Sequence, residues 1–342
     1  MSKAVISRRD FLKLSGYGLM GTLLPNLSTY LPPQDDFTNL QGRMIDRIVW
    51  TYDEPNSKAK REKLYWHDLI IPIMNSTIGD DESAYNRVWY QLEDGGYAYS
   101  GSIQPVRTIL NEPQQIPTRG ALGEISVPYT DAYLEADSNA DFAYRLYYET
   151  VHWVTSAVNA ADGKKWYRLL DDKFEQYYYV PAGHVRLLSN EELAPLSPNV
   201  PNENKHVEVR LDDQILLAYE NGQIVFATRI STGGKRLSGK YTTPVGNFIT
   251  YHKRPTRHMA AGDIASNGFD LPGVPWVLYI TEGGISFHGT YWHNDYGHPH
   301  SHGCINMTPQ AAKWLFRWTI PTVPPDKPVA YGYVGTNVEI KV

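Results

Sequence analysis

The chain has 342 residues, and its 32 Lys and Arg against 37 Asp and Glu give a formal net charge of −5. This near balance excludes a strongly basic nucleic-acid-binding protein, because such proteins carry a large excess of Lys and Arg. Hydrophobic residues make up 42% of the chain, which is too many for a disordered protein. Frequent Tyr, Gly and Pro favour short strands and turns, so we expect a mainly β fold.

The N-terminal segment, 1–33, has the pattern of an export signal. Residues 7–13 read Ser-Arg-Arg-Asp-Phe-Leu-Lys, which resembles the twin-arginine signal, and an apolar stretch follows over 14–24. This stretch is shorter than the ~20 residues of a membrane-spanning helix; the alternative is a short amphipathic helix with incidental arginines. We therefore expect export to a prokaryotic cell envelope. No clear A-x-A cleavage site follows, and an uncleaved segment would tether the protein to the membrane.

An internal repeat lies in the middle of the chain. Residues 88–95 read Val-Trp-Tyr-Gln-Leu-Glu-Asp-Gly, and residues 165–172 read Lys-Trp-Tyr-Arg-Leu-Leu-Asp-Asp. Short strands with turns at this spacing predict two small β-barrel modules, over 34–115 and 116–188, followed by a polar, Pro-rich linker over 189–206. The Trp-Tyr-x-Leu pattern resembles bacterial SH3-like domains, which implies wall-binding or positioning modules. The alternative is a pair of spacer barrels whose aromatic residues are only core.

The last predicted domain, 207–342, begins with a β-meander. Residues 207–211 alternate as a half-buried strand, and further strands are predicted over 215–220 and 223–231. The turn between the last two strands is Asn221-Gly222, a pair that favours a type I′ hairpin because both positions require positive φ.

One clear helix is predicted near the end of the domain. Thr308 is a good N-cap residue, and Pro309 fits the first helical position. The apolar face that this helix would bury consists of Ala311, Ala312, Leu315 and Trp318.

The single cysteine lies just before this helix, in the segment Ser301-His302-Gly303-Cys304. A lone cysteine is usually a small buried hydrophobic residue. Here, however, histidines lie beside it and upstream, and an imidazole that takes the thiol proton stabilises the nucleophilic thiolate. The Ser-His-Gly turn also offers backbone amides for a developing oxyanion. These features predict a cysteine nucleophile that attacks a carbonyl group.

Residues 207–342 resemble the L,D-transpeptidase (YkuD-type) catalytic domain. The family motif is a His, a spacer of about a dozen residues and then Ser/Thr-His-Gly-Cys, and here His288 is followed by Ser301-His302-Gly303-Cys304-Ile305-Asn306. Supporting matches are found at 231–234, 243–248 and 335–340. Asn306 stands where many members carry Arg, so no Arg-based contact with a substrate carboxylate is expected there. The resemblance implies a C-terminal β-sandwich with one short helix after the cysteine.

The resemblance also implies a role for each residue of the motif. Cys304 would be the nucleophile, and His288 would be the general base that activates it. Gly303 would contribute to the oxyanion hole, while Ser301 and His302 would shape the turn. For His302 we favour a structural role over direct proton transfer. The candidate substrate contacts are Thr290, Tyr291, Trp292 and Asn306, although the aromatic pair among them would equally pack the loop.

The histidines and the cysteine are open to three other interpretations. The alternation of His298, His300 and His302 would also suit zinc or nickel, but no HExxH motif or suitably placed carboxylate accompanies it, so we predict no metal and no cofactor. A papain-like amidase would place its Cys before its His along the chain, whereas His288 precedes Cys304 here. A non-catalytic wall-binding protein is a further alternative, which the intact His and Cys disfavour.

The expected partners are peptidoglycan stem peptides, as the resemblance implies. Cys304 would attack the bond after the third residue of a donor tetrapeptide, release D-Ala and hold the remainder as a thioester. The amine of a second stem would then resolve the thioester into a 3→3 cross-link. Attack by water would make the same site an L,D-carboxypeptidase, and another amine-bearing partner would become attached to peptidoglycan instead.

Overall fold

The computed structural model describes residues 37–235, 237–239, 241–263 and 268–342. The predicted export signal over 1–33 therefore lies outside the described residues. Within them the fold is mainly β, as predicted, with 24 strands and two α-helices. No helix in this part of the chain is both long and apolar enough to cross a membrane.

The first seven strands form one sheet in the order β3-β2-β6-β5-β4-β1-β7. They are β1 (Gln41–Met44), β2 (Ile48–Tyr52), β3 (Arg61–Trp66), β4 (Ile70–Ile78), β5 (Val88–Leu92), β6 (Tyr97–Tyr99) and β7 (Ile103–Val106), with a 3₁₀ turn at Ser100–Ser102. Their inward side chains form a small separate core around Met44, Ile73 and Ile103. We refer to this sheet together with its connecting loops, residues 41–106, as the first module.

The next seven strands and their connecting loops, residues 121–187, form the second module and repeat this arrangement in the order β10-β9-β13-β12-β11-β8-β14. They are β8 (Ala121–Ile125), β9 (Tyr129–Tyr133), β10 (Phe142–Tyr147), β11 (Val151–Asn159), β12 (Lys165–Leu170), β13 (Tyr177–Pro181) and β14 (Val185–Leu187), with a 3₁₀ turn at Ala182–His184. Each strand corresponds to the one seven places earlier, so Trp89 in β5 matches Trp166 in β12. The sequence repeat therefore reflects a structural duplication, while the SH3-like resemblance and the domain boundaries stay predictions.

The remaining strands form two five-stranded sheets, β17-β16-β15-β24-β18 and β22-β21-β20-β19-β23. They are β15 (Lys205–Arg210), β16 (Ile215–Glu220), β17 (Gln223–Arg229), β18 (Gly246–Ile249), β19 (His252–Ala261), β20 (Phe269–Tyr279), β21 (Ser286–Gly289), β22 (Ile305–Met307), β23 (Ala330–Tyr331) and β24 (Asn337–Lys341). One hydrophobic core joins both sheets, with Val209 and Leu216 from one and Trp276, Phe287 and Ile305 from the other. This is the predicted C-terminal β-sandwich.

The predicted meander is present at the start of this sandwich. β15 pairs with β16 and β16 with β17, both antiparallel. The turn residues Asn221 and Gly222 have φ of 49° and 78°, as a type I′ turn requires. The third strand ends at Arg229, because Ser231 leaves the ladder and forms an isolated bridge with Asn306 beside the site.

The late helix, here α2 (Pro309–Trp318), is confirmed together with its cap. The Thr308 hydroxyl accepts a hydrogen bond from the backbone amide of Ala311 at 3.2 Å, and Pro309 occupies the first turn. The predicted linker contains a short helix that the sequence interpretation missed, α1 (Asn190–Leu193), and a 3₁₀ turn at Asn202–Asn204. A capping box between Ser189 and Glu192 explains α1, because each side chain satisfies an amide at the helix start.

Candidate active site

Two neighbouring parallel strands bring the predicted base and nucleophile together. His288 lies on β21, and Cys304 immediately precedes β22. The two strands pair Phe287 with Ile305 and His288 with Asn306. By the same register Cys304 lies level with Ser286 at the start of β21, two residues from His288, although a long loop separates the two strands in the chain.

His288 acts on the thiol of Cys304 across the two strands and lowers its pKa. Burial alone would raise the pKa of Cys304, but the interaction with His288 outweighs it and holds that pKa below its usual value. His288 Nδ1 lies 3.0 Å from the carbonyl oxygen of Gly289, which can only accept. The ring proton is therefore on Nδ1, and Nε2 is left with the lone pair that can take the thiol proton.

Ser286 is a third side chain at the thiol, and the sequence interpretation missed it. Its Oγ lies 3.7 Å from Cys304 Sγ, and its hydrogen bonds to the sulfur help to lower the thiol pKa. The Sγ also lies 3.8 Å from the carbonyl oxygen of Gly284. The available signal was strand periodicity, because Ser286 and His288 are two apart on β21 and so share one face.

The turn before Cys304 is held by its own hydrogen bonds. Ser301 Oγ donates to the carbonyl oxygen of Cys304 at 2.5 Å and accepts from the Gly303 amide at 3.0 Å. Gly303 has φ of +145°, which favours glycine. Because its amide is already engaged with Ser301, a role of Gly303 in the oxyanion hole requires that bond to be exchanged; the role stays a prediction.

A second glycine explains the supporting motif at 231–234. A Cβ on Gly233 would lie 3.0 Å from backbone atoms of Gly303 and 1.9 Å from Thr242 Oγ1, so only glycine fits without displacement. Thr243 Oγ1 accepts from the Gly233 amide at 2.9 Å and donates to the Gly303 carbonyl at 2.8 Å. The residues at 231–234 thus form the support under the catalytic turn.

The four predicted substrate contacts occupy different environments. Thr290, Tyr291 and Asn306 are 2–3% exposed, and each hydrogen-bonds inside the protein. In this structure their side chains are engaged inside the protein, and their role as substrate contacts stays a prediction. Trp292 is partly exposed, and its ring centroid lies 5.7 Å from that of His288. It is the one of the four that is placed at the reacting groups.

The other histidines pack against separate partners. His293 stacks on His300 at 4.6 Å, His298 stacks on Tyr85 at 5.1 Å, and the exposed His302 lies 6.4 Å from Phe269 between ring centroids. Among the residues that the structure describes, no group of three His, Cys, Asp or Glu side chains is arranged to hold a metal ion. The ring of His302 is exposed at the surface beside the turn.

Comparison with known families gives one match. The family model described as the L,D-transpeptidase catalytic domain, YkuD, matches residues 204–340. The match covers the segment whose motifs carry the resemblance, 207–342, almost to its end. Comparison with curated proteins gives no match.

Several solved structures resemble part of the chain. An L,D-transpeptidase mutant of Enterococcus faecium is 24% identical, with 40% of this chain and 50% of that chain covered and a TM-score of 0.31. The catalytic domain of an E. faecium L,D-transpeptidase is 26% identical over 41% of this chain and 98% of that one, with a TM-score of 0.30. An L,D-transpeptidase from Xylanimonas cellulosilytica is 29% identical over 40% of this chain and 60% of that one, with a TM-score of 0.27. The chain spans about half the length of the E. faecium mutant structure.

Proposed function

We propose that this chain, whose C-terminal part is an L,D-transpeptidase catalytic domain, forms 3→3 cross-links in peptidoglycan through a thioester on Cys304. The observation that carries the proposal is the pairing of β21 with β22 inside the matched segment, which brings His288 near Cys304, a thiol whose pKa is held below its usual value. A thiolate stabilised in this way is the nucleophile that acyl transfer requires. Peptidoglycan peptides are the substrates that the family implies.

Acylation uses the two side chains in sequence. His288 Nε2 takes the proton of Cys304, and the thiolate attacks the carbonyl carbon of the third residue of a donor tetrapeptide. The C–N bond to D-Ala then breaks, and the imidazolium of His288 returns the proton to the departing amine. The product is a thioester between Cys304 and the remaining tripeptide.

Deacylation forms the cross-link. The side-chain amine of the third residue in a second stem loses a proton to His288 and attacks the thioester carbonyl. The C–S bond breaks, and the thiol regains the proton from the imidazolium. If water attacks the thioester instead, the same steps make the protein an L,D-carboxypeptidase. If another amine-bearing molecule attacks, that molecule becomes attached to peptidoglycan.

The N-terminal parts of the chain fit this role in the cell envelope. We propose that the twin-arginine segment exports the folded protein and, if uncleaved, tethers it to the membrane. The two modules would hold or position the enzyme at the wall, as SH3-like modules of cell-wall enzymes do. Their identical strand order supports a common origin and a related task.

Product analysis with purified stem peptides tests the proposal. The protein is incubated with a donor tetrapeptide, with and without an amine acceptor stem, and products are separated by mass spectrometry. We expect a cross-linked dimer that requires the acceptor and is absent with Cys304→Ala. If the only product is the tripeptide, the enzyme is a hydrolase rather than a transpeptidase. If no product forms with or without the acceptor, both activities are rejected. Acylation of Cys304 by a carbapenem gives an independent readout of the same nucleophile.

A further inference from the structure

The loop that joins the two catalytic strands, residues 290–303, is anchored on its inner side to the sandwich. We call this segment the connecting loop. The Gly297 amide donates to the carbonyl of Ile230 at 3.0 Å, and the His300 amide donates to that of Thr232 at 2.9 Å. Ser231 Oγ donates to the backbone carbonyl of Asp295 at 3.1 Å. The outer side of the loop faces the first module.

Asp295 is the main polar contact on that outer side. Tyr99 Oη donates to Asp295 Oδ1 at 2.7 Å, and Tyr85 Oη donates to Oδ2. Burial, together with hydrogen bonds to the carboxylate, raises the pKa of Tyr85 to about 12 and that of Tyr99 above its usual value. Both hydroxyls therefore stay protonated near neutral pH and hold both oxygens of Asp295.

Neighbouring residues reinforce this contact. Asn294 Nδ2 donates to the carbonyl oxygens of Ile103 at 2.9 Å and Ser100 at 3.2 Å. A Cβ on Gly101 would lie 2.6 Å from Asp295 Oδ1, so the first module approaches the carboxylate as closely as glycine allows. The Tyr85 ring also stacks on His298 at 5.1 Å. These contacts all join the first module to the connecting loop.

The connecting loop carries groups that flank the reacting atoms. Trp292 lies near its start, with its ring 5.7 Å from that of His288. Ser301 lies near its end and bonds both the Gly303 amide and the Cys304 carbonyl. Asp295 sits between them, so a shift of the loop at Asp295 is transmitted to both sides of the catalytic pair.

We propose that Asp295 is a positioning residue, which uses the hydroxyls of Tyr85 and Tyr99 on the first module to fix the connecting loop and so align His288 with Cys304. The effect of this positioning on enzyme turnover rests on the proposed function. It gives the first module an indirect part in turnover, because the module supports the connecting loop.

The test compares the double variant Tyr85→Phe/Tyr99→Phe with the full-length parent chain. Removal of both hydroxyls leaves the Asp295 carboxylate without these donors, so the loop loses this contact with the first module while the Asn294 hydrogen bonds remain. The rate at which iodoacetamide alkylates Cys304 is measured against pH, because it reports the thiolate fraction without any peptide substrate. We expect the apparent thiol pKa to rise and neutral-pH alkylation to slow about tenfold or more, because small misplacements of reacting groups are costly.

The matched control is Tyr65→Phe, which removes a tyrosine–carboxylate hydrogen bond of 2.5 Å to Asp94 within the first module alone. It should leave the alkylation profile of the parent unchanged while affecting module stability. If the double variant does not fold, Tyr99→Phe alone is measured in its place. An alkylation profile equal to that of the parent in a folded variant overturns the positioning role. Absence of cross-linking by the parent chain would instead reject the proposed function, so the two failures are distinct.

Discussion

The Nδ1 atom of His288 donates to the carbonyl oxygen of the next residue, Gly289, at 3.0 Å. This local bond fixes the tautomer of the ring and leaves the opposite nitrogen with the lone pair that the proposed general base requires. Two consecutive residues of β21 thus set the orientation of the imidazole: His288 supplies the ring, and the carbonyl of Gly289 orients it. The same strand also places Ser286 at the sulfur.

We expect His288→Ala to raise the pKa of Cys304. In the native protein His288 outweighs the effect of burial, so its removal leaves burial as the main influence on the thiol. The midpoint of Cys304 alkylation should move upward, past the value of about 8.5 that is usual for a free thiol. Acylation by a stem peptide should fall by a factor of about 100 or more, the contribution typical of a general base.

The matched control for this change is His302→Ala. The His302 side chain is exposed and lies beside Phe269 rather than against the sulfur. It should leave the alkylation midpoint close to that of the parent protein. An unchanged midpoint in His288→Ala with a shifted midpoint in His302→Ala would transfer the role of base to His302.

A pH-dependent contribution to stability is expected from His258, which joins the second module to the sandwich. Its Nδ1 contacts Asp171 after β12, its Nε2 contacts Asp270 on β20, and its side chain is 2% exposed. Burial opposes the charge, but the two carboxylates prevail and raise the pKa of His258. The nearby guanidinium groups of Arg254 and Arg257 pair with the neighbouring Asp172.

The direction of the pH effect follows from the raised pKa. The contribution of His258 is fully present below the unfolded pKa of about 6.5 and is lost as the pH rises through the folded value. Below about pH 6.5, His258→Ala should lower the free energy of unfolding by about 3–5 kcal/mol, because it removes the cation that pairs with the buried carboxylate of Asp171 and the partly buried one of Asp270. Urea unfolding at a series of pH values measures this, and a pH dependence unaltered by the substitution would contradict it.

Asn306 is expected to contribute to stability rather than to substrate binding. It is 2% exposed, and its Nδ2 donates to His293 Nε2 at 2.9 Å. Asn306→Ala leaves that buried nitrogen without its partner, which should cost about 1–3 kcal/mol. The KM for a donor peptide should remain near that of the parent, whereas a large rise in KM at unchanged stability would restore Asn306 as a substrate contact.

The control for this substitution is Asn139→Ala. Asn139 is exposed in a turn of the second module, where its side chain bonds only to Asp137. The change in unfolding free energy there should stay within about 0.5 kcal/mol.

Features that depend on a few adjacent residues were predictable from the sequence. The Asn221-Gly222 turn and the Thr308 cap are examples, because positive φ and a hydroxyl acceptor are local requirements. The spacing of His288 and Cys304 was informative through the family resemblance. The capping box at Ser189 was readable as well, but it lies in a segment whose Pro-rich composition favoured a linker.

Features that depend on contacts between distant segments were not predictable. For Tyr291 the sequence left open a place at the cleft rim or packing of the loop; its ring stacks on Tyr147 of the second module at 5.3 Å and is buried. Asp295 meets Tyr85 and Tyr99 only because the first module folds against the connecting loop. Nothing in the residues around these positions indicates which distant surface will cover them.

The most direct test of the central claim is intact-mass spectrometry of the protein after brief exposure to a donor tetrapeptide without acceptor. We predict a covalent adduct with the mass of the tripeptide acyl group, mapped to Cys304 and absent from Cys304→Ala. An adduct that persists in Cys304→Ala, or a parent protein that turns over the donor with no adduct detected at any time, would contradict the thioester mechanism.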